Sequence, residues 1–231
     1  MKELKVRETV NRQAVYEPTS YCEEWSPWSD DAVSDELVQK LMPIATLRSY
    51  GKGALIPLER VNDNLYLLLA GTVEVSLMSE AGRKRILALH EERTFIDDAL
   101  LSEGSSVVMV TCLTKAEFAI LDRAKLTRLA YQDPTIFDCI LKSVLYKLQG
   151  LTQHLVDQTF NEVEDRIINL LSSFAKSHGR SVDNGIRIEK PLTHEFIAEM
   201  VGSTRVRVTQ SIKSLQTKGR LTKAGKYYTL C

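Results

Sequence analysis

The C-terminal part of the sequence contains the feature that most constrains the fold, a pair of short helices separated by one glycine. Thr193 can cap a helix over His194–Val201, because its hydroxyl accepts a hydrogen bond from a free amide of the first turn. Gly202 ends this helix, and Thr204 caps a second helix over residues 205–218. A basic hairpin follows before the C-terminus. This order of helix, glycine turn, helix and hairpin predicts a winged helix-turn-helix domain.

The second of these helices has one apolar face and one basic face. Val208, Ile212 and Leu215 fall on one side at helical spacing, so this side faces the domain core. The other side carries side chains that hydrogen-bond to phosphates and to base edges in a major groove. The alternative is a solvated helix whose charge is incidental. The predicted DNA-contacting residues, with those of the caps and the wing, are Thr193, Ser203, Thr204, Arg205, Val206, Arg207, Thr209, Gln210, Lys213, Lys223 and Lys226.

The net charge of zero hides an uneven distribution along the chain. Residues 1–160 contain 18 lysines and arginines against 23 aspartates and glutamates, whereas residues 161–231 contain 12 against 7. A basic end on an acidic body is typical of a nucleic-acid-binding module that is joined to another domain.

The N-terminal part of the chain is predicted to consist mainly of short strands. Residues 35–43 favour one short helix ended by Pro43. Beyond them, residues 72–77 alternate polar and apolar side chains with the period of a half-buried strand. Further strands are predicted over residues 86–89, 107–112 and 117–121. Short strands at such close spacing favour an antiparallel sandwich or roll.

Between these two parts the sequence predicts one long helix over residues 134–160, which begins with a proline. Its apolar residues recur every three or four positions and form a narrow seam, which is typical of helices that pair in coiled coils. The seam therefore predicts a homodimer, while packing onto the chain's own strands is the alternative. We expect both contacts. The predicted dimer residues are Ile140, Val144, Leu148, Leu151 and Leu155.

Two runs of residues carry a resemblance to a known family. The first is NLYLLLAGTVEV at residues 64–75, preceded by Tyr50-Gly51-Lys52-Gly53, and the second is LTHEFIAEMVGSTRVRVTQSIKSL at residues 192–215. They resemble the β-roll sensor and the helix-turn-helix of the CRP/FNR superfamily of transcription regulators. The resemblance extends over residues 34–230. It implies a cytoplasmic homodimer that binds double-stranded DNA, an effector that changes its DNA affinity, and RNA polymerase as a further partner.

The expected fold class is therefore α+β, in three parts. An antiparallel β-roll of the cyclic-nucleotide-binding, jelly-roll type is expected over residues 1–130, and it senses the effector. A dimerisation helix follows over residues 131–160. The winged helix-turn-helix, which binds DNA, is expected over residues 161–231.

The second helix of the helix-turn-helix departs from the pattern that this superfamily commonly uses to read bases. A glutamate, with an arginine four residues later, is common there, and this chain has Val206 and Gln210. The valine resembles the halorespiration regulators, a subgroup that senses chlorinated aromatics and favours A/T-rich palindromes. Valine can contact a thymine methyl and glutamine can pair with adenine, so a palindromic, A/T-rich operator is expected.

The residues of the roll do not favour a cyclic nucleotide as the effector. The superfamily binds the nucleotide phosphate with a glycine-glutamate pair and, further on, an arginine-serine pair. Here Asp97 takes the place of the glycine and Ser106 that of the arginine. A phosphate beside Asp97 and Asp98, without an arginine, would be repelled. A small-molecule effector of another kind is therefore expected.

No cofactor and no metal are predicted. The iron–sulfur branch of the superfamily has clustered N-terminal cysteines, and this chain has only Cys22 there. His90 and Cys112 are the conceivable haem ligands, but a single histidine near a strand end is more often structural. An enzyme is not expected either, because the four histidines are scattered and no phosphate loop or nucleophile elbow is present.

Two modes of sensing remain open. The first is a pocket for a small organic ligand between the roll and the long helix, with N-terminal aromatic residues that close it or merely cover the roll. The predicted effector residues are Tyr21, Trp25, Trp28, Leu87, Leu89, Phe95 and Tyr146. The second is a thiol switch at Cys22, with Cys231 as a second thiol. A roll that binds a small ligand without binding DNA is the alternative function.

The sequence gives no sign of a membrane association. No run of 18 or more apolar residues is present, and the first eleven residues are charged and lack the apolar stretch of a signal peptide. A cytoplasmic location is expected.

Overall fold

The computed structural model describes residues 32–56, 64–96 and 108–231. The helices in these ranges are α1 (Asp35–Leu41), α2 (Arg123–Gln132), α3 (Thr135–Phe160), α4 (Val163–His178), α5 (His194–Val201) and α6 (Arg205–Thr217). The strands are β1 (Ala45–Tyr50), β2 (Leu55–Ile56), β3 (Asn64–Ala70), β4 (Val73–Met78), β5 (Lys84–His90), β6 (Thr94–Ile96), β7 (Met109–Cys112), β8 (Ala116–Asp122), β9 (Gly179–Val182), β10 (Gly185–Ile188), β11 (Leu221–Ala224) and β12 (Tyr227–Leu230).

The first eight strands form two antiparallel sheets, with the strand orders β1-β8-β3-β6 and β2-β7-β4-β5. Strand β3 shows how the sheets pack, because its side chains are buried on both faces. Leu65 and Leu67 lie in a core with helices α1, α2 and α3, whereas Tyr66 and Leu68 lie in a core with the second sheet. The predicted α+β fold with an antiparallel β-roll is confirmed.

Three helices cover the outer side of the roll. Helix α1 ends at Leu41, and the proline that was predicted to stop it lies in a 3₁₀ turn over Met42–Ile44. Helix α2 was not predicted from the sequence. It begins where the Asp122 carboxylate accepts a hydrogen bond from the Lys125 amide at 2.8 Å, and it buries only Leu126 and Ala130.

Helix α3 is the long predicted helix. Its 26 residues give a length of about 39 Å at 1.5 Å per residue. The side chains buried along it are those that face the rest of the chain, including Ile136 and Ile140 in the core of the roll. Lys147 adds a polar contact, because its ammonium group donates a hydrogen bond to the Phe95 carbonyl at 2.7 Å.

The C-terminal elements form a winged helix-turn-helix. Helices α4, α5 and α6 pack on a small sheet with the strand order β11-β12-β10-β9. Helix α5 spans the predicted residues, and α6 ends one residue before the predicted end. Strand β9 was not predicted. Within the described ranges, no helix combines the length and the apolar composition that a bilayer span requires.

Candidate nucleic-acid interface

The caps of α5 and α6 hold the helix-turn-helix as the sequence predicted. The Thr193 hydroxyl accepts a hydrogen bond from the Phe196 amide at 3.1 Å, and the Thr204 hydroxyl accepts one from the Arg207 amide at 3.3 Å. Between them Gly202 adopts the left-handed conformation, with φ 64°. The two caps and the glycine therefore define where each helix begins and where α5 ends.

Helix α6 presents its basic face to the outside. Val208, Ile212 and Leu215 are buried in the domain core, and most of the other residues of the helix are exposed. Val206 is an apolar residue on this face, and it is 66% exposed. Of the predicted contacts, Ser203 is half-buried and the other ten are exposed, namely Thr193, Thr204, Arg205, Val206, Arg207, Thr209, Gln210, Lys213, Lys223 and Lys226.

The first turns of both helices and the wing surround an open groove. Its lining includes Thr193 and His194 from the start of α5, Arg205 from α6, and Lys223 and Lys226 from the wing. Three of these five side chains carry a permanent positive charge. A groove of this charge beside an exposed helix is suited to a phosphate backbone.

His194, which was not among the residues predicted from the sequence, connects the three elements that surround this groove. Its Nδ1 lies 2.8 Å from the Thr209 hydroxyl of α6, and its Nε2 lies 3.0 Å from the Lys223 ammonium group of the wing. Thr209 also donates a hydrogen bond to the Arg205 carbonyl at 2.8 Å. The one signal in the sequence was the position of His194, the first residue after the Thr193 cap.

Some of the basic side chains on α6, and on the residues that follow its C-terminal end, are paired within the protein. Lys218 donates to the Glu164 carboxylate of α4 at 2.6 Å, and this contact lowers the pKa of Glu164. The neighbouring groove is lined by acidic as well as basic side chains, among them Asp165 and Arg220. This side of the helix is therefore closer to electrical neutrality than the groove at the wing.

Besides Leu145 and Phe160, six large apolar residues of α3 are exposed, and these six form a continuous stripe. They follow one another at steps of four, three, four, three and four, which is the spacing of a coiled-coil seam. They are Phe137, Leu141, Val144, Leu148, Leu151 and Leu155. Ile140 is a correction to the predicted seam, because its side chain is buried in the core of the roll and Leu141 takes its place on the exposed side.

The roll and the winged helix share a hydrophobic contact. Ile86 and Leu89 of β5 belong to the same buried cluster as the core of the C-terminal domain. Leu89 was predicted to line an effector pocket, and its side chain lies in this shared cluster instead. Phe95 lies in the core that the roll forms with α1, α2 and α3, so Phe95 and Leu89 belong to different clusters.

The other predicted effector residues are spread over different elements. Leu87 on β5 and Tyr146 on α3 are both half-buried. The aromatic residues Tyr21, Trp25 and Trp28 lie outside the described residues, as do Cys22, Asp97, Asp98 and Ser106. Among the residues that are described, no group of histidine, cysteine and carboxylate side chains could hold a metal ion.

A half-buried arginine lies at the centre of the contact between the two domains. Arg85 of β5 packs directly against Gly202 of the helix-turn-helix, where a methyl group on the glycine would overlap the guanidinium. Its Nη2 lies 3.3 Å from Nδ1 of the buried His154. Within the described part of the chain, the Nη1 of Arg85 has no hydrogen-bond partner. Burial, together with the charge of Arg166, lowers the pKa of Arg85 to about 10.

The tautomer of His154 follows from its neighbours. Its Nε2 lies 2.8 Å from the Leu87 carbonyl, which can only accept, so the proton is on Nε2 and Nδ1 accepts from Arg85. Burial, reinforced by the charge of Arg85, lowers the pKa of His154 to about 4. His154 is therefore neutral at pH 7, and α3 contacts the roll through a hydrogen bond that depends on this neutrality.

Two polar side chains hold the end of α5. The Val201 carbonyl accepts hydrogen bonds from Gln158 of α3 at 2.8 Å and from Arg166 of α4 at 2.9 Å. Arg166 also donates to the Gln158 side chain at 2.6 Å. The turn of the helix-turn-helix is thus tied to the long helix as well as to the roll.

Ion pairs add to this contact on both sides. Lys84 of β5 lies 2.5 Å from the buried Glu74 and 3.4 Å from Glu199 of α5. Glu91, which follows β5, lies 3.0 Å from Lys190 and 3.2 Å from His178. Apart from the pair of Lys84 with Glu74, each of these pairs connects the roll to the winged helix.

Comparisons with known proteins agree with this architecture. The cyclic nucleotide-binding domain family matches residues 47–133, and the Crp-like helix-turn-helix domain family matches residues 165–231. A relative in Mycobacterium tuberculosis (strain ATCC 25618 / H37Rv), the CRP-like cAMP-activated global transcriptional regulator, is 24% identical over 165 residues, which cover 71% of this chain and 74% of that protein.

Solved structures show the same fold. OCPA-complexed CprK superposes with a TM-score of 0.73 at 18% identity and covers 89% of this chain and 96% of its own. The c-di-GMP responsive global regulator CLP of Xanthomonas campestris superposes with a TM-score of 0.73 at 22% identity, covering 85% and 99%. A roll of the cyclic nucleotide-binding type joined to a Crp-like helix-turn-helix defines a DNA-binding transcription regulator. Over residues 47–133 and 165–231 the chain therefore has the domain composition of the CRP/FNR regulators.

Proposed function

We propose that this regulator is a homodimer that binds a palindromic, A/T-rich operator, and that a small organic effector other than a cyclic nucleotide changes its DNA affinity. The observation that carries the proposal is the exposed basic face of α6, flanked by the cationic groove and placed on a helix whose other side is buried. When such a helix lies in a major groove, its exposed face can contact the base edges and the phosphates of the DNA.

The stripe on α3 supports a dimer. Its large apolar residues include Leu148 and Leu155, which are 58% and 67% exposed. Two copies of α3 packed through this stripe would relate their α6 helices by a two-fold axis. Two such helices about 34 Å apart enter successive major grooves on one side of the duplex, which requires a palindromic site.

The two unusual residues of α6 support an operator rich in A/T pairs. Val206 and Gln210 lie one turn apart on the exposed face. A valine offers methyl groups to the thymine methyl, and a glutamine can accept from and donate to adenine. Neither residue matches the two acceptors of guanine as an arginine does.

The effector class is inferred from this chain's residues, because the fold alone is compatible with several effectors. Similar proteins carry cAMP, c-di-GMP and OCPA in their names. In the sequence, Asp97 replaces the glycine of the superfamily's phosphate-binding segment and is followed by Asp98, and Ser106 replaces its arginine. An apolar ligand without phosphate would avoid the repulsion that these carboxylates exert on a phosphate.

The contact between β5 and the winged helix suggests how an effector acts. A ligand that moves β5 relative to α3 would disturb the contacts of Arg85 with His154 and Gly202. The winged helix would then turn about Phe160-Asn161, where α3 ends and Asn161 donates to the Asp157 carboxylate at 2.7 Å. The effector would shift the population between two arrangements of the domains.

Selection of duplexes from a random DNA library by the full-length protein, with and without a reductant, tests the proposal. An enriched A/T-rich palindrome supports it, and enrichment in only one redox condition would make a thiol switch, rather than an organic ligand, the signal. The Arg205→Ala/Arg207→Ala variant should remain dimeric and enrich nothing. A palindrome that this variant still enriches would contradict the assignment of α6.

A further inference from the structure

The contacts of His194 define its protonation state. The Thr209 hydroxyl donates its proton to the Arg205 carbonyl, so it accepts a hydrogen bond from Nδ1–H of His194. The Lys223 ammonium group can only donate, so Nε2 of His194 accepts from it at 3.0 Å. His194 is therefore neutral here, with the proton on Nδ1, and both ring nitrogens are occupied.

The surroundings of His194 keep it neutral. Burial, then the charges of Lys223 and Arg205, lower the pKa of His194. The charged groups around the same groove are Arg205 from α6, Lys223 from β11, Lys226 from the turn of the wing, and Glu195, the next residue of α5. Three of these four are cations. A second positive charge 3.0 Å from Lys223 would thus be repelled, unless an anion were bound between the two.

A DNA phosphate would supply that anion. The groove opens at the start of α5, where Thr193 is exposed and the helix presents its free amides. A phosphate that lies between Lys223 and His194 takes the hydrogen bond of the ammonium group. The imidazole can then accept a proton from solvent at Nε2 and donate it to a phosphate oxygen.

We infer that His194 is a further DNA-contacting residue, which binds a backbone phosphate in its protonated form, so that each subunit takes up one proton when it binds DNA. The inference rests on the proposed DNA-binding face and extends it to a proton-linked contact. Thr209 would remain the acceptor of Nδ1–H in both states, so the ring need not rotate.

The sign of the pH dependence follows from this exchange. Without DNA the pKa of His194 lies below its ordinary value. A phosphate on Nε2 favours the charged imidazole, so the pKa of His194 in the complex is higher than in the free protein. DNA affinity is then greatest at a pH below the free pKa and falls as the pH rises through the pKa of the complex. Each unit by which DNA raises the pKa changes the affinity about tenfold per subunit.

The first measurement is the Kd of the full-length protein for two duplexes, the selected operator and a scrambled duplex of the same length, between about pH 5.5 and 8.5 at constant ionic strength. Because a phosphate contact carries no sequence information, both duplexes should bind more tightly at lower pH. The His194→Gln variant should lose this dependence, and the His178→Gln variant, altered at the distant contact with Glu91, should keep it.

The second measurement follows the Cε1 proton of His194 by NMR, assigned with the His194→Gln variant, with and without the duplex. A higher pKa in the complex supports the inference. An unchanged or lower pKa overturns it, and so does a pH dependence that His194→Gln keeps. Binding that is independent of pH refutes only the proton-linked contact. Failure of both duplexes to bind at any pH would refute the proposed DNA function as well.

Discussion

At the scale of single residues, two separate features of the structure require a glycine at position 202. Its φ of 64° is a conformation that costs other residues about 1–2 kcal/mol. Its missing side chain also leaves room for the guanidinium of Arg85. The glycine therefore serves both the helix-turn-helix and the contact between the domains.

Alanine substitutions at Gly202 and at Gly219 separate the cost of the backbone conformation from the cost of the contact with Arg85. Gly219 provides the control, since its φ is 69° and no atom lies within 4 Å of an added methyl group. Gly219→Ala should lower the free energy of unfolding by about 1 kcal/mol, and Gly202→Ala by about 2 kcal/mol or more, as measured by urea denaturation. Equal losses in the two variants would mean that Arg85 moves aside without cost.

His154 makes the stability depend on pH. Its pKa of about 4 lies below that of the unfolded chain, so the unfolded state binds more protons as the pH falls. The neutral His154 therefore contributes roughly 3 kcal/mol to the free energy of unfolding above about pH 6.5, and this contribution is lost as the pH falls towards 4. The difference in unfolding free energy between the wild type and His154→Gln should shrink over this range. A difference that is independent of pH would contradict the neutral, buried histidine.

At the scale of elements, the exposed stripe of α3 predicts a dimer. Leu148→Glu would place a charge in the seam, so this variant should sediment as a monomer and bind the operator at least about tenfold more weakly. Gln149→Glu adds the same charge at the next exposed position, away from the stripe, and should leave the dimer intact. A dimeric Leu148→Glu variant would show that the stripe is not the interface.

The elements that could be predicted from the sequence are those with strong local signals. Thr193, Gly202 and Thr204 placed α5 and α6 almost to the residue, because caps and left-handed glycines act within one turn. Helix α2 buries only Leu126 and Ala130, too few for a recognisable period. Strand β9 is exposed along its whole length, so its sequence carries no alternation.

Side-chain partners far apart in the chain were harder to predict. Ile140 and Leu141 are adjacent and equally apolar, and only the packed roll decides which of them is buried. His194 meets Thr209 and Lys223 only once the helices and the wing are folded. The same holds for Leu89, whose partners belong to another domain.

At the scale of the whole molecule, the roll and the winged helix are joined by a shared core. Leu89→Ala should cost about 2–4 kcal/mol of unfolding free energy and should speed amide exchange in both β5 and α5, because Leu89 is 3% exposed in that core. Leu47→Ala, in the 60% exposed position on β1, should cost less than about 0.5 kcal/mol. Faster exchange in the roll alone would mean that the domains are not coupled through β5.

The salt dependence of operator binding tests the central claim, DNA recognition by α6, most directly. The full-length Arg205→Ala/Arg207→Ala variant should bind at least about 100-fold more weakly than the wild type, and its plot of log affinity against log salt should be shallower by about 0.9 for each phosphate that it no longer neutralises. The matched control, Lys176→Ala/Arg180→Ala, removes the same charge from the end of α4 and from β9, and it should keep the affinity and slope of the wild type. Equal losses of affinity in both variants would show that net charge, and not the face of α6, binds the DNA.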